Sequence, residues 1–526
     1  MPAAELALYQ RPDPLPHRLS AKRTARMLWL PDAGRAMGMR VVAGKGAGKS
    51  RLLGRIIGWL DFRRETPLVI LDPVGGTLDN LLDRLRLVDE GTRERLLARI
   101  RYVDMAGGER VVPFPLYARR EGESLHDLSQ RYLDVIAKLD VNLRAAPVLG
   151  WNAIHRLGTH SGVLLGALGW QVTEARSLLT EPAVLQRALA AVAYRQEPEL
   201  ADAVAFFGEE FRCWRSGQAD AFLGKLMLFG DGPTRAMFGA GEPGIDWQEV
   251  VDRRLAVLLD FRHERGEELR RFKLLWVFSE LVRFIESRPL RPETPLSLIV
   301  DELTYLLDSD GLTPSPIARE FEGLLDRQSR QKNIWLTLAH QRPGQLDEAT
   351  RQRLMAMGTQ VIGQMAQHDD ALALATHYHR YDPDWVKRYV TTSVSRFGVT
   401  ERAENYTLAE QWALHSHRFL DLPRFHFLVA AATEEGTLPT SLRHVTIERF
   451  DQGRFVDDAW VAAVRGRLAG EQGRPVAQVL AEIAARRVGA DVPPRPEPRL
   501  AEHPPAEPTI RPAKTWRRPK EADDSP

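Results

Sequence analysis

A glycine-rich run near the start of the chain has the residue types and spacing of a phosphate-binding loop. It follows the short apolar stretch 39–42 and consists of Ala43, Gly44, Lys45, Gly46, Ala47, Gly48, Lys49 and Ser50. After a buried strand, such a turn directs backbone N–H groups at a β-phosphate, while Lys49 reaches the β- and γ-phosphates and Ser50 binds magnesium. The usual pattern, G-x-x-x-x-G-K-[ST], has glycine where this chain has Ala43, a small residue that also permits the tight turn. Residues 44–50 therefore predict a site for a nucleoside triphosphate and Mg²⁺.

A second motif lies in the later half of the chain, where an apolar strand ends in two acids. Leu298, Ile299 and Val300 precede Asp301 and Glu302. A nucleotide-hydrolysing site needs an acid that holds magnesium, commonly through water, and a base that polarises the attacking water. Asp301 fits the first role and Glu302 the second. A strand followed by an N-capping acid has the same pattern, but the presence of a P-loop in the same chain favours the nucleotide site.

Polar residues also flank the next apolar strand, 334–339. Gln341 follows this strand, at the edge of a parallel sheet where a side chain can reach the γ-phosphate or the lytic water. Arg327 and Arg330 precede it, at the opposite edge. A subunit cannot easily use these arginines on its own nucleotide, but in a ring they could enter a neighbour's site as an arginine finger. From the residues alone, a solvent-exposed glutamine and surface arginines explain the pattern as well.

The segments between these motifs alternate between strands and helices. We expect strands at 39–42, 67–73, 101–104, 254–260, 296–301, 334–339, 359–364 and 425–431, the last of which ends the sheet. We expect helices at 51–64, 79–100, 267–287 and 475–487, because apolar side chains recur there at helical spacing. The alternation predicts an α/β fold with a mostly parallel central sheet that begins with a right-handed β-α-β unit.

Changes in pattern and composition divide the chain into regions. Strand signals vanish between about residues 120 and 250, where helical periodicity dominates. We therefore predict an N-terminal arm at 1–38, a nucleotide-binding domain at 39–118 and 251–487, an inserted all-α domain at 119–250, and a tail at 488–526. The tail has ten prolines among its 39 residues, mixed with charges. It buries too little apolar surface to remain ordered.

The overall composition excludes several classes of protein. With 526 residues, 44% of them hydrophobic and 27% charged, the chain is typical of a soluble globular protein with two or three domains. The 72 basic residues nearly balance the 70 acidic ones, so a DNA-binding surface must be a local patch. Cys213 is the single cysteine, which excludes an intramolecular disulfide. We find neither a signal peptide nor an apolar run near the roughly 20 residues of a membrane span, and we expect a cytoplasmic protein without direct membrane insertion.

The order of these motifs resembles the HerA–FtsK superfamily, and especially the soluble cores of the conjugative coupling proteins of type IV secretion. The resemblance covers residues 39–487. It rests on the P-loop, the all-α insertion, the pair Asp301-Glu302 and the eleven-residue spacing from Arg330 to Gln341. It also rests on three short segments, Leu71-Asp72-Pro73-Val74-Gly75, Val112-Pro113-Phe114-Pro115-Leu116 and Ala339-His340-Gln341-Arg342-Pro343.

The chain departs from this family in two places. Where the family usually has a basic residue, a glycine and an acid after the second strand, this chain has Val74, Gly75 and Gly76. The residues before 43 contain neither the transmembrane helices of membrane-anchored coupling proteins nor the β-barrel of HerA proteins.

The resemblance implies a RecA-like P-loop ATPase that assembles as a hexameric ring and moves DNA through its channel. Residues 44–50 would bind ATP, Ser50 and Asp301 would hold Mg²⁺, and Glu302 would activate water. Gln341 would sense the γ-phosphate, and Arg330 would act in the neighbouring subunit. A relaxase, a nuclease or a secretion channel would be the partner. Two alternatives remain open, namely a secretion or pilus ATPase that acts on protein, and a nucleotide-binding scaffold, although a scaffold does not need Glu302.

Overall fold

The structure, a computed structural model, describes the larger part of the chain. It covers residues 6–10, 26–120, 122–139, 149–214, 217–307, 317, 321, 323–325, 329–396, 398–432, 442–447 and 455–488. Arg327 lies outside the described residues, and so does the predicted tail apart from Val488.

Eleven strands of the described residues form one sheet. In chain order they are β1 Leu6–Gln10, β2 Arg26–Leu30, β3 Met39–Val42, β4 Leu68–Asp72, β5 Ile100–Asp104, β7 Ala256–Asp260, β8 Leu296–Val300, β9 Ile334–His340, β10 Thr359–Ile362, β13 His426–Ala431 and β14 Arg443–Thr446. Their order across the sheet is β2-β1-β14-β13-β10-β3-β9-β8-β4-β7-β5. The seven strands from β10 to β5 are parallel, and the other four continue the sheet in antiparallel fashion. The predicted fold class, a RecA-like α/β fold with a mostly parallel sheet, is confirmed.

Two short ribbons stand apart from this sheet. β6 (Arg110–Val111) pairs with β15 (Arg474–Pro475), and β11 (Val386–Ser395) pairs with β12 (Gly398–Asn405). The sequence analysis predicted neither ribbon.

Helices connect the strands of the sheet. Outside residues 119–250 they are Asp32–Ala36, Lys49–Arg51, Trp59–Arg63, Gly76–Leu85, Glu90–Leu97, Glu267–Ser287, Thr304–Leu307, Ser329–Gln331, Glu348–Met355, His368–Tyr378, Leu408–Leu420, Asp458–Glu471 and Val476–Val488, with a π-helical stretch at Leu52–Gly58 and a 3-10 turn at Pro343–Gln345. None of the helices in the described part of the chain combines the length and the apolar character that a membrane span requires.

Between β6 and β7, all regular elements of the described residues are helical. They are Leu125–Leu139, Leu149–Leu168, Ala175–Thr180, Pro182–Val192, Pro198–Ala205, Asp220–Lys225, Gly232–Gly239 and Trp247–Asp252, with shorter π and 3-10 turns at Val172–Glu174, Phe206–Glu210, Phe211–Cys213 and Leu226–Phe229. These helices share one apolar core with the sheet. All described residues belong to one compact unit, so a separate domain at 119–250 stays a prediction.

The parallel strands are buried on both faces because helices cover both. In β4, Leu68 and Ile70 belong to an apolar cluster with the helices that follow β3 and β4. Val69 and Leu71 belong to a second cluster, which includes the helix Glu267–Ser287 and the helices between β6 and β7. Alternate residues of one strand therefore contribute to two cores, as is typical of parallel sheets in α/β proteins.

The segment predicted as an N-terminal arm contains regular structure that belongs to this unit. β1 pairs with β14 and β2 pairs with β1. The Arg35 side chain is only 1% exposed, and its guanidinium donates to the two Asp61 carboxylate oxygens at 2.9 and 2.6 Å. The Ser297 hydroxyl donates to the same carboxylate at 2.7 Å. These bonds connect the segment before β3 to the helix after the P-loop and to β8.

Two details of the predicted elements were wrong. The single helix predicted at 79–100 is two helices, because the Asp89 side chain accepts the Thr92 N–H at 2.9 Å and begins a new helix at Glu90. The strand predicted as the last of the sheet, 425–431, is followed by β14.

Candidate nucleotide-binding site

The glycine-rich run forms the turn between β3 and the helical segment that begins at Lys49. Gly46 and Gly48 have φ values of +83° and +107°, which glycine adopts without steric cost. The Gly44 N–H donates to the Gln364 carbonyl at 2.7 Å, which holds the turn against the chain after β10. Lys45 and Gly46 are exposed at the tip of the turn. The loop therefore stands at the carboxyl edge of the parallel strands, at the start of a helical segment.

Lys49 lies between the two acids of the second motif. Its ammonium nitrogen is 3.0 Å from Asp301 Oδ1 and 2.9 Å from Glu302 Oε2, and all three side chains are buried. Burial alone lowers the pKa of Lys49, but the charges of Asp301 and Glu302 outweigh it and raise this pKa above its usual value. The Lys49 ammonium is therefore charged, and it lies between two carboxylates that follow β8.

Asp301 is also bound by two hydroxyl groups. Its Oδ2 atom accepts a hydrogen bond from Ser50 Oγ at 3.3 Å and a shorter one from Thr77 Oγ1 at 2.7 Å. Thr77 is fully buried at the start of the helix Gly76–Leu85. Thr77 was not predicted from the sequence, because its contact with Asp301 depends on how the turn after β4 folds.

That turn is organised by Asp72, the last residue of β4. The Asp72 carboxylate accepts four backbone N–H groups, those of Val74, Gly75, Thr77 and Leu78, at 2.6–3.0 Å. Burial, and next the charge of Asp301, raise the pKa of Asp72 to about 7. The carboxylate thus shapes the turn that presents the Thr77 hydroxyl to Asp301.

Glu302 has an uncommon backbone conformation and three side-chain partners. Its φ is +61°, in the left-handed region that residues other than glycine rarely adopt. Its Oε2 atom accepts from Gln341 Nε2 at 2.5 Å as well as from Lys49, and its Oε1 atom accepts from Thr304 Oγ1 at 2.7 Å. Strained backbone of this kind is found mostly at functional sites. Neither the strain nor Thr304 was predicted from the sequence.

Gln341 reaches Glu302 from the end of β9, and the residue before it is buried. His340 Nε2 accepts a hydrogen bond from the Nε atom of Arg40, a residue of β3, at 3.0 Å. Burial, followed by the charges of Arg40 and Lys49, keeps the pKa of His340 well below its usual value. A neutral His340 therefore connects the P-loop strand to the strand that ends at Gln341.

Arg330 lies far from these residues. It is exposed, in the short helix Ser329–Gln331 that precedes β9. Since β9 has seven residues, its length of about 20 Å separates Arg330 from Gln341. The structure brings together Lys49, Ser50, Asp301, Glu302 and Gln341, and it leaves Arg330 at the other edge of the sheet.

A pocket of about 640 Å³ includes Thr304 in its lining. Its lining residues are Leu139, Lys225, Glu267, Glu268, Arg271, Thr304 and Tyr305. None of residues 44–50 lines it, so this pocket is not the phosphate site.

Comparisons with known proteins give matches among solved structures alone. No protein-family model matches the chain, and no curated protein sequence matches it. The bacterial conjugative coupling protein TrwBdeltaN70 is 13% identical, with 80% of this chain and 86% of that chain covered and a TM-score of 0.48. The plasmid coupling protein TrwB in complex with the ATP analogue ADPNP is 14% identical, with 81% and 88% covered and a TM-score of 0.48.

A third similar structure is VirB4 of Thermoanaerobacter pseudethanolicus. It is 14% identical, with 85% of this chain and 96% of that chain covered, and its TM-score is 0.45. At these identities the likeness concerns the fold.

Proposed function

We propose that this protein is an ATP-hydrolysing motor that uses Mg²⁺. The observation that carries the proposal is a cluster of four side chains at the carboxyl edge of the parallel strands, directly beside the P-loop. Lys49 contacts Asp301 and Glu302, and Gln341 contacts Glu302, each at 3.0 Å or less. A lysine, two acids and an amide at the start of a helix provide the groups that bind, polarise and hydrolyse a triphosphate.

The oxygen atoms beside the P-loop fit a magnesium ion. Ser50 Oγ and Asp301 Oδ2 are 3.3 Å apart. Two neighbouring ligands of an octahedral magnesium ion, each about 2.1 Å from the metal, lie about 3 Å apart. Ser50 and Asp301 would hold the ion, directly or through water, and the bound Mg²⁺ would neutralise charge on the phosphates.

The remaining side chains have roles in the hydrolytic step. Lys49 would leave the two carboxylates and bind the β- and γ-phosphates, which frees Glu302 to accept a proton from the attacking water. Gln341, which donates to Glu302 at 2.5 Å, would orient that water or contact the γ-phosphate. The Glu302 backbone is in the left-handed region, and its carboxylate lies between Lys49, Gln341 and Thr304.

We further propose that the motor forms a ring and translocates DNA. Two features support this step, namely the exposed position of Arg330 at the opposite edge of the sheet and the resemblance of the motifs to those of ring-forming coupling proteins. Arg330 of one subunit would enter the site of the next. A relaxase, a nuclease or a secretion channel would supply or receive the DNA.

The ATPase rate, measured with and without DNA, together with the particle mass, tests the proposal. We expect hydrolysis by the purified chain, a clear increase on addition of single- or double-stranded DNA, and a mass several times that of one chain. Lys49→Ala is the control and should abolish hydrolysis. A flat response to DNA in a monomer would contradict the translocase. A rate that rises with a secreted protein instead of DNA would favour a secretion motor.

A further inference from the structure

An aromatic side chain, Phe425, lies against the P-loop on the side away from Asp301 and Glu302. Its N–H donates to the Ala47 carbonyl at 2.9 Å, and its own carbonyl accepts the Ile447 N–H at 3.1 Å. The ring is so close to the loop that a methyl group at Gly48 would come within 2.5 Å of Phe425 Cδ1. The backbone of Phe425 is in the left-handed region, with φ of +67°. A bulky residue keeps this conformation only where the surrounding structure holds it.

Two arginines stack on this ring. The guanidinium carbon atoms of Arg51 and Arg424 each lie 4.7 Å from the centre of the Phe425 ring. Phe425 is partly buried and Arg424 is exposed, so the stack is open to solvent on the Arg424 side. We call Arg51, Phe425 and Arg424 the Phe425 stack. Nothing in the hydrolytic roles of the site requires it.

The register of the sheet places the Phe425 stack at the edge that carries the P-loop. β13 runs antiparallel to β10, with Leu428 opposite Ile362, and Ile362 is opposite Val42, the last residue of β3. Phe425 therefore lies beyond the carboxyl ends of β10 and β3. Arg51 directly follows Ser50 in the chain. The stack begins at the residue next to the phosphate loop and extends outward from it.

We propose that the Phe425 stack binds the nucleobase of the nucleotide whose phosphates the P-loop holds, and this inference rests on the proposed function. A triphosphate bound by the N–H groups of residues 46–50 presents its ribose and base at the side of the loop that is away from the attacking water. On that side, the described residues offer an aromatic ring and the planes of two guanidinium groups. Both kinds of plane stack on bases.

The chemistry of the stack defines its ligand class. Stacking uses the π-face, which all purines share, and not the hydrogen-bonding edge of the base. The Phe425 stack should therefore bind adenine and guanine nucleotides with similar strength, and it should contribute nothing to the binding of a triphosphate that has no base. This separates a base-binding role from a role in bracing the P-loop, which would affect all phosphate ligands alike.

The experiment compares three ligands on six proteins by calorimetry in the presence of Mg²⁺. The ligands are ATP, GTP and inorganic tripolyphosphate. All six proteins carry Glu302→Gln to prevent hydrolysis; the parent protein has no other change, and the other five add Phe425→Ala, Phe425→Leu, Arg424→Ala, Arg443→Ala or Lys49→Ala. Phe425→Leu keeps apolar contact with the loop, in case the alanine variant folds poorly. Arg443→Ala is the matched control because it removes an exposed arginine on β14, opposite Val429 and about 10 Å along the strands from His426.

We expect both Phe425 variants to weaken ATP and GTP binding about tenfold and to leave tripolyphosphate binding unchanged. Arg424→Ala should weaken both nucleotides less, and Arg443→Ala should weaken neither. Unchanged ATP binding in both Phe425 variants would overturn the inference, and so would an equal loss for ATP and tripolyphosphate. If the parent protein binds neither ATP nor tripolyphosphate, or if Lys49→Ala leaves that binding intact, the proposed function itself fails. The two failures are therefore distinguishable.

Discussion

Glu302 is oriented before any ligand arrives. Gln341 and Lys49 bind one carboxylate oxygen, Thr304 binds the other, and the backbone is held in the left-handed region. A base that is fixed in this way loses little entropy on reaching the attacking water. We predict that Glu302→Gln lowers kcat about 10²- to 10⁴-fold, because an amide cannot accept the proton. ATP affinity should change little, because the residues proposed to contact the phosphates and Mg²⁺, Lys49 and Ser50, are unchanged.

The matched control for this variant is Glu293→Gln, an exposed residue in the segment before β8. It removes the same charge at the other edge of the sheet and should leave turnover unchanged. Steady-state hydrolysis and equilibrium ATP binding, measured on both variants, check the prediction. A normal rate in Glu302→Gln would show that another group is the base.

Thr77 supports Asp301, and its removal should affect the metal rather than the base. Thr77→Val keeps the shape of the side chain but removes the hydroxyl that donates to Asp301 at 2.7 Å. Residues that orient a metal ligand typically contribute 10- to 100-fold to metal affinity or activity, so we expect the Mg²⁺ concentration for half-maximal activity to rise about tenfold. Thr304→Val, which removes a bond to Glu302, should lower kcat instead. Identical Mg²⁺ titrations for the two variants would contradict these separate roles.

At the residue scale, the site side chains that could be predicted from the sequence are those that belong to motifs with a recognisable spacing. Lys49, Ser50, Asp301 and Gln341 stand at the ends of strands that are adjacent in the sheet, and the structure brings them into contact with each other or with Glu302. Their catalytic roles stay predictions. The contacts of Thr77, Thr304 and His340 were not predicted, because contacts between segments that are distant in the chain produce no local sequence pattern.

At the scale of elements, a buried ion pair connects the segment before the P-loop to the helix that follows the loop. Arg35 and Asp61 are 1% and 0% exposed. Removing one partner of such a pair leaves an uncompensated buried charge, so we predict that Arg35→Met lowers the free energy of unfolding by about 3–5 kcal/mol. The comparison is Asp32→Asn, which breaks the partly exposed pair with Arg64. That variant should cost about 0–1 kcal/mol.

Urea denaturation of both variants measures this difference. If Arg35→Met is no more costly than Asp32→Asn, the segment 32–36 contributes little to the stability of the core. The result also bears on the predicted arm at 1–38, because an arm laid over the surface would tolerate the loss of Arg35.

Some elements could be predicted from the sequence better than others. The helix Glu267–Ser287 was predicted with the bounds that the structure has, and most of its residues between 272 and 285 are buried. The strands β1, β2 and β14 were missed. Each has only four or five residues, and an apolar run this short, such as 27–30 in β2, does not by itself distinguish a strand from other structure. The ribbon of β11 and β12 was missed for a different reason. In the described residues at its two ends, charged side chains are exposed, so no buried face produces an alternating pattern.

At the scale of the whole molecule, the proposed ring requires that Arg330 of one subunit acts in the site of another, because Arg330 and Gln341 lie at opposite ends of β9. The seven residues of β9, about 20 Å in length, lie between them. A head-to-tail ring would bring the amino edge of one sheet to the carboxyl edge of the next. Each site would then combine Lys49 and Glu302 of one subunit with Arg330 of another.

Mixing two inactive variants tests this division of the site. Arg330→Ala should lower kcat about 10³-fold without loss of ATP binding, as expected for an arginine finger. Lys49→Ala should be inactive because it cannot bind the phosphates, yet it keeps a normal Arg330. When the two variants assemble at random in equal amounts, about a quarter of the interfaces pair an intact P-loop with an intact Arg330. We therefore expect the mixture to recover about a quarter of the unmodified activity.

The same mixture distinguishes a shared site from a self-contained one. If each chain held a complete site of its own, the mixture could not regain activity, because every site would contain the substitution of its own chain. Arg327→Ala serves as the parallel variant, because Arg327 is the other predicted finger. If Arg330→Ala is fully active and Arg327→Ala restores activity when mixed with Lys49→Ala, the finger is Arg327. If neither variant loses activity, hydrolysis needs no arginine from a neighbour, and the exposed position of Arg330 has no part in the motor.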